Sequence, residues 1–424
     1  MVLIEDNLPS NWPLVQVRDV TLRTLVRDPS KQPDKTFRYV DVSSVDNTLF
    51  KIRGASELKG SEAPSRARKE IRRNDVLFAT VRPTLKRVAL VPPDLDGEIA
   101  STGYCIVRPN TEKIDARFLF DCLLTDWFID AIGKLERGAS YPAVRDSDVF
   151  DAWIPLPPLS EQRRIAGVVG VVQQAIDQQD RLLALAAELK RALLHKVFTQ
   201  GLRGELQKET AVGPVPTSWD VVKIGSLGKV VTGTTPKTKV EEYYTPSEID
   251  FIAPADLGQR RYIYSSEKKI SKRGLEVIRR LPKDAIMCVC IGSSIGKVGM
   301  TYKNASATNQ QINAIICDEK HDPAFLYYLL SYFAEYWRGF ATFGPVPILS
   351  KGSMEEIDIV VPATRDDEVE IAQCFLVLDA KTEVMMRRKA ILNELLRTLL
   401  DQLMTAKLRV HDLELPELEA AAAE

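Results

Sequence analysis

The stretch of this chain that most resembles a chemical site is "IGSSIGKVGM", residues 291–300, where Gly292, Gly296 and Lys297 stand in the order of a phosphate-binding loop. Such a loop needs four residues between its glycine and the Gly-Lys pair, then Ser or Thr, so that backbone N–H groups and the lysine cradle the phosphates. Here three residues intervene and Val298 follows Lys297, so nucleotide hydrolysis is excluded. Glu188-Leu189-Lys190 imitates a nuclease Glu-x-Lys but falls on a helical repeat and reads as a solvated face. The three histidines, His195, His321 and His411, have no partner at metal-ligand spacing. Neither a Gly-x-Gly-x-x-Gly fingerprint nor an Asn/Asp-Pro-Pro-Tyr/Phe tetrapeptide occurs. No catalytic residue and no metal site is expected.

Basic residues are what remain. Lys51 to Arg87 holds eleven Lys or Arg against four acids, and Arg260 to Lys283 holds nine against two, in a chain of net charge −1. The candidates are Lys59, Arg66, Arg68, Lys69, Arg72, Arg73, Arg82, Lys86 and Arg87, then Arg260, Arg261, Lys268 and Lys269. Two such patches point to a repeated polyanion partner: phosphate contacts supply affinity, and polar side chains on base edges supply specificity. Polar stretches suited to the second task are "STGYC" with Tyr104, "TGTTPK" with Thr234, Thr235 and Lys237, and "SATNQQIN" with Asn309 and Gln310.

The elements that must position these groups are written twice. "LPSNWPLVQV" returns as "VPTSWDVVKI", setting Trp12 on Trp219 at an offset of 207. "FRYVDVSSVDN" is answered by "IDFIAPADLGQ", "DVLFATVRPTLKRVALV" by "DAIMCVCIGSSIGKVGMTY", and "FLFDCLLTDWF" by "FLYYLLSYFAEYW". Each copy closes on a proline junction, "IPLPPLSEQRRIA" at 154–166 and the weaker "VPATRDDEVEIA" at 361–372. Prolines stop one compact unit, Ser160 sits as an N-cap with Glu161 in the first turn, and Thr364 with Asp367 forms a capping-box-like start. After each junction comes a heptad-like stripe. Ile165, Val169, Val172 and Ile176 continue after a phase slip as Leu182, Leu185, Leu189 and Leu193. The second stripe is Ile371, Phe375, Leu378, Met385, Leu392, Leu396, Leu399 and Leu403. That spacing predicts two long helices able to pair within the chain.

The expected class is α+β: two similar globular domains joined by two long helices that form an intramolecular antiparallel coiled coil. The expected segments are a first domain over 1–158, a spacer helix over 159–200 and a linker over 201–218. A second domain over 219–362, a second helix over 363–406 and a flexible acidic tail over 407–424 follow. No apolar run of about 18 residues exists to span a membrane. The N-terminus lacks a secretory layout, and the six cysteines contain no C-x2-C pair. A cytoplasmic protein with reduced thiols is expected.

"IPLPPLSEQRRIA" resembles the central signature of specificity subunits of type I restriction-modification systems. "TGTTPKTKVEEYY", "IDFIAPADL", "CIGSSIGKVGM" and "ATNQQINAII" are similar to motifs of that family's target-recognition domains, and the resemblance covers nearly the whole chain. The second junction departs from the pattern, lacking both the double proline and the Glu-Gln. The resemblance implies that each domain reads one half of a split target on double-stranded DNA. It adds Ser293, Ser294 and Lys297 to the DNA-contact candidates. It implies that the helices set the gap and dock two modification (methyltransferase) subunits, with Pro157, Pro158, Leu159, Glu161 and Gln162 at the docking junction. Restriction (translocase and nuclease) subunits would complete the assembly. S-adenosylmethionine, ATP and magnesium would be held by those partners and no cofactor by this chain. The competing readings are a single-chain nuclease or methyltransferase, which the missing motifs oppose, and a coiled-coil protein-binding scaffold, which would lack salt-sensitive DNA binding.

Overall fold

The computed structural model describes residues 8–410, so His411 and most of the acidic tail lie outside the described residues. The chain forms two compact units, one from residues up to 181 together with those from 386 onward, the other from 182–385.

In the first unit the strands are β1 (Leu14–Gln16), β2 (Thr21–Leu22), β3 (Thr36–Val40), β4 (Ser56–Lys59), β5 (Ala67–Glu70), β6 (Val76–Ala79), β7 (Val88–Leu90), β8 (Ile99–Ser101) and β9 (Tyr104–Pro109). Helices α1 (Ala116–Leu124), α2 (Asp126–Gly133) and α3 (Asp146–Phe150) follow, then β10 (Trp153–Pro155) and the long α4 (Leu159–Gln200). The sheets run β4-β3-β8-β5 and β2-β9-β6-β7, and β1 pairs antiparallel with β10. The apolar strand β6 is buried throughout, so both its faces are covered. Asp115 starts α1 by accepting from the N–H groups of Arg117 and Phe118.

The second unit repeats this plan. After a hairpin of β11 (Gln207–Thr210) and β12 (Gly213–Pro216) come β13 (Asp220–Lys223), β14 (Gly228–Thr232), β15 (Ile249–Ile252), β16 (Tyr262–Ile263) and β17 (Lys269–Ile270). Then follow α5 (Lys272–Glu276), β18 (Ile286–Val289), β19 (Val298–Thr301), β20 (Ser306–Thr308) and β21 (Ile312–Cys317). Helices α6 (Pro323–Tyr332), α7 (Ala334–Arg338) and α8 (Lys351–Glu355), strand β22 (Asp358–Val361) and the long α9 (Arg365–Met404) complete it. Its sheets run β14-β21-β18-β19-β16 and β17-β15-β20, and β13 pairs with β22 as β1 does with β10. The parallel pair β3–β8 is matched by the parallel pair β15–β20. Asp322 caps α6 as Asp115 caps α1, with Pro323 in its first turn. The repeat seen in the sequence is a repeat of topology.

Each unit contains one half of α4 and one half of α9, packed antiparallel. In the first unit Ile165, Val169, Val172 and Ile176 are buried with Leu396, Leu400 and Leu403, and Lys389 pairs with Asp180 at 2.5 Å. In the second, Phe198 stacks on Phe375 and Tyr332 and meets Trp219 edge-on, and Lys190 pairs with Asp379 at 2.5 Å. Full burial of such a ring contributes about 1.5–3 kcal/mol.

Four expectations are corrected. Leu182, Leu185 and Leu189, read as a continued seam, are exposed, and the buried α4 positions nearby are Gln179 and Ala186. A straight helix drifts about 20° per heptad, so a strict leucine repeat rotates off the packed face. The helix begins at Leu159: Gln162 N–H donates to the Pro158 carbonyl at 3.0 Å, and exposed Ser160 lies inside the first turn. Segment 201–218 is no free connector, since it forms the β11–β12 hairpin and buries Val215 in the core. Thr364 does cap α9, accepting from Asp367 N–H at 3.2 Å. At the start of the expected flexible tail, Val410 is buried in the first unit's core.

Candidate nucleic-acid interface

The proline junction is tied into its own unit. Gln162 is fully buried: its amide oxygen accepts from Asp115 N–H at 2.7 Å, and its amide nitrogen donates to the carbonyls of Pro157 at 2.7 Å and Lys113 at 3.2 Å. Glu161 accepts from the Trp12 indole at 2.9 Å and from Arg409. The Gln-for-partner assignment is therefore corrected: this amide locks α4 to the start of α1 and has no face left for another chain. Pro157 is buried as well, while Pro158 is exposed and Leu159 half-buried. The second copy holds the corresponding place with Glu368, which accepts from Asp322 N–H and His321 Nδ1, both at 2.7 Å. Burial raises the Glu368 carboxyl above its ordinary range, opposed by the His321 hydrogen bond.

In the second unit several of the expected polar residues converge where β18 ends beside the start of β21. Gly233 N–H donates to the Ile312 carbonyl and Thr234 N–H to the Thr308 carbonyl, each at 2.9 Å. Thr235 Oγ1 donates to Gln310 Oε1 at 2.7 Å, and Asn309 Nδ2 to Gln311 Oε1 at 3.0 Å. Gly233 is required there, because a Cβ would lie 2.1 Å from the Asn309 carbonyl oxygen. Ser293, Ser294 and Lys297 lie in the turn leaving β18, where Gly292 and Gly296 take positive φ. Lys297 Nζ reaches the Pro254 carbonyl at 3.5 Å. Thr235, Lys237, Ser293 and Gln310 are exposed, which is what a base-reading edge requires.

The first unit has the same end: Ala79 of β6 faces Tyr104 of β9. Thr80 donates to the Gly103 carbonyl through N–H and hydroxyl, and Thr102 N–H donates to the Arg66 carbonyl at 2.8 Å. Arg66 and Arg82 are exposed at this end, the Arg82 guanidinium 5.6 Å from the Tyr141 ring. Tyr104 is a correction: it is fully buried and donates to the Asp41 and Val42 carbonyls. Burial pushes its phenol well above the usual range, so it is a neutral structural donor.

The basic runs are not single faces. Lys69 pairs with Asp146 and donates to the Tyr104 carbonyl, Lys86 pairs with Asp126, and Arg68 pairs with Asp28. Arg87 donates to the Val42 carbonyl. Arg72 and Arg73 precede β6, at the opposite sheet end from Arg82, and Arg72 pairs with Glu70. Lys59 is exposed at the end of edge strand β4. In the second unit Arg260 and Lys268 are exposed, Lys269 sits in β17, and Arg261 lies over Tyr262 at 4.3 Å. Sequence reasoning missed the loops that meet the two sheet ends from the helical side, 134–145 and 339–350. Their Gly and Pro content marks loops, but nothing local says what they cover. Among the described residues no cluster of His, Cys, Asp or Glu could hold a metal ion.

Two like α+β units, each presenting a polar loop edge at the same sheet end, define a protein built from one repeated domain. Residues 216–394 match the type I restriction modification DNA specificity domain. The chain is 22% identical over 421 residues to the HindI specificity subunit of Haemophilus influenzae, covering 84% of this chain and 90% of that protein. It is 33% identical over 167 residues to the MjaIX specificity subunit of Methanocaldococcus jannaschii, 38% of each chain. A solved structure from a study of complex assembly and conformational transition in a type I restriction-modification system is similar with TM-score 0.60 and 29% identity, covering 94% of this chain and 98% of that one. The S subunit from M. genitalium shares the fold, with TM-score 0.58 at 16% identity over 94% and 97% of the two chains. Residues 216–394 thus carry a type I restriction modification DNA specificity domain, and nearly the whole chain is similar to the specificity subunits of such systems, which indicates a DNA sequence-specificity subunit.

Proposed function

We propose that each unit reads one half of a bipartite DNA target with the loop edge described above, and that α4 and α9 set the gap between the halves. The observation that carries this reading is the recurrence of one loop edge at one sheet end in both repeats. Docking of two modification subunits, and through them restriction subunits, is supported by apolar side chains left exposed on the helices, Leu182, Leu185 and Leu189 of α4 and Val384, Ile391 and Leu395 of α9. S-adenosylmethionine, ATP and magnesium belong, in this reading, to those partners. Cytoplasmic placement is supported by cysteines that are all free, and no helix among the described residues is long and apolar enough to cross a membrane. The test is replacement of residues 219–362 by the matching domain of another specificity subunit, followed by sequencing of methylated DNA from cells that also carry the partners. One half of the target should change and the other should not. A folded chimera that changes both halves refutes independent reading.

A further inference from the structure

Loops 134–145 and 339–350 are anchored to the two recognition edges by the same backbone bonds. In the first unit Val144 N–H donates to the Thr80 carbonyl and Arg82 N–H to the Pro142 carbonyl, at 2.9 and 2.8 Å. In the second, Leu349 N–H donates to the Cys290 carbonyl and Gly292 N–H to the Pro347 carbonyl, at 2.8 and 2.9 Å. Single bridges, Val81 with Ala143 and Ile291 with Ile348, complete the match. Beyond these anchors each loop holds apolar surface in solvent. Tyr141, directly before Pro142, is 74% exposed, and Val346, directly before Pro347, is 56% exposed with Phe343 fully exposed at the loop tip.

A lone exposed aromatic is ordinary on a protein surface. Two loops fastened alike, each carrying one beside polar and cationic groups, are not explained by chance exposure. Arg82 lies over the Tyr141 ring, and Arg338 borders the Gly296 turn beside Lys297 in the second unit. Cationic flanks suit a phosphate backbone, and an apolar tip between them suits the base pairs inside a groove.

We propose that Tyr141 and Phe343 are specificity-determining residues, each loop tip making apolar or stacking contact with base pairs of its own half-site. This rests on the two-headed reading above and extends it to residues outside the polar motifs. The contact is one of shape and apolar surface rather than charge, so it weighs on sequence preference and not on counterion release.

The test uses the full chain assembled with its modification subunits, carrying Tyr141→Ser or Phe343→Ser. Affinity is measured for target DNA and for a scrambled duplex across a salt series, with Tyr141→Phe as the variant that keeps the ring. Both sites are exposed, and an unchanged thermal melt confirms folding. Each Ser variant should bind target DNA about ten- to a hundredfold more weakly, the range of one good base contact. Scrambled-DNA affinity and the salt slope should stay unchanged, and Tyr141→Phe should behave as wild type. In cells, methylation should become degenerate in one half of the target only. Unchanged target affinity, or equal loss on both duplexes, overturns the proposal. If the wild-type assembly itself shows no preference for target DNA, it is the two-headed reading that fails instead.

Discussion

Replacing Gln162 by Glu should unfasten α4 from α1 in the first unit while leaving the second unit intact. The site offers one donor, Asp115 N–H, and two acceptors, the carbonyls of Lys113 and Pro157, and an amide satisfies all three. A carboxylate keeps the first bond and sets oxygen against oxygen at the other two, in a fully buried place. Each buried carbonyl left unpaired costs about 1–3 kcal/mol, so a loss of about 3 kcal/mol is expected at pH 8. Hydrogen exchange followed by mass spectrometry reads this locally. Protection over residues 116–124 should fall by roughly a hundredfold, since about 1.4 kcal/mol is a factor of ten. Residues 323–332 are the internal reference and should not change. Lowering the pH should recover part of the loss, because a protonated carboxyl regains one donor. The second unit explains why Glu is tolerated there: Glu368 faces two donors, His321 Nδ1 and Asp322 N–H. Unchanged protection in α1 combined with lost binding of the modification subunits would refute the reasoning, since Gln162 would then act on a partner.

Further outcomes follow from other buried and exposed groups. Asp121 is fully buried, neither carboxyl oxygen has a hydrogen-bond partner, and Arg117 is 3.6 Å away. Burial pushes its carboxyl up to about 7. Its contribution is therefore fully present below about pH 4 and is lost as pH rises through 7. Asp121→Asn, which carries no charge at any pH, should flatten that decline in denaturation midpoint. A wild-type midpoint that does not fall between pH 4 and 7 removes the basis for this. Arg66→Ala with Arg82→Ala should reduce the slope of log affinity against log salt by about two, whereas Arg72→Ala with Arg73→Ala, at the other sheet end, should leave it unchanged. The reverse result would move the interface. Inserting four residues in α4 between Arg181 and Leu182, together with four in α9 between Met385 and Met386, keeps the helix register within each unit. About 6 Å of added rise should lengthen the target gap by one or two base pairs, read from methylated DNA. A properly assembled variant that methylates only the original spacing would mean that the helices do not set the gap.

The duplication, the α+β class and the start of α9 were legible in the sequence because they rest on local rules. Thr364 announces a helix by what a short polar side chain does for the first free N–H groups. The apolar strands β6 and β18 announce two-sided burial by their composition. The exposure of Thr235 and Gln310 was legible for the same reason, since both stand in polar breaks between strands that have to lie on the surface.

What only the tertiary structure decided depends on partners distant in sequence. Arg73 and Arg82 look like neighbours in one basic run, yet β6 lies between them and carries them to opposite sheet ends. Lys69 reads as a phosphate contact until Asp146, remote along the chain, takes its charge. Tyr104 reads as surface because its neighbours are polar, but it is buried in the core with its hydroxyl held by the Asp41 and Val42 carbonyls. Leu182, Leu185 and Leu189 fit a heptad, and only the drift of a real helix against its packed face shows that they point to solvent. Gln162 carried the family resemblance, but its function as an internal lock required Lys113, Asp115 and Pro157 to be brought to it. Burial and pairing are properties of the folded assembly of elements, and a linear pattern contains them only where the interacting groups are close along the chain.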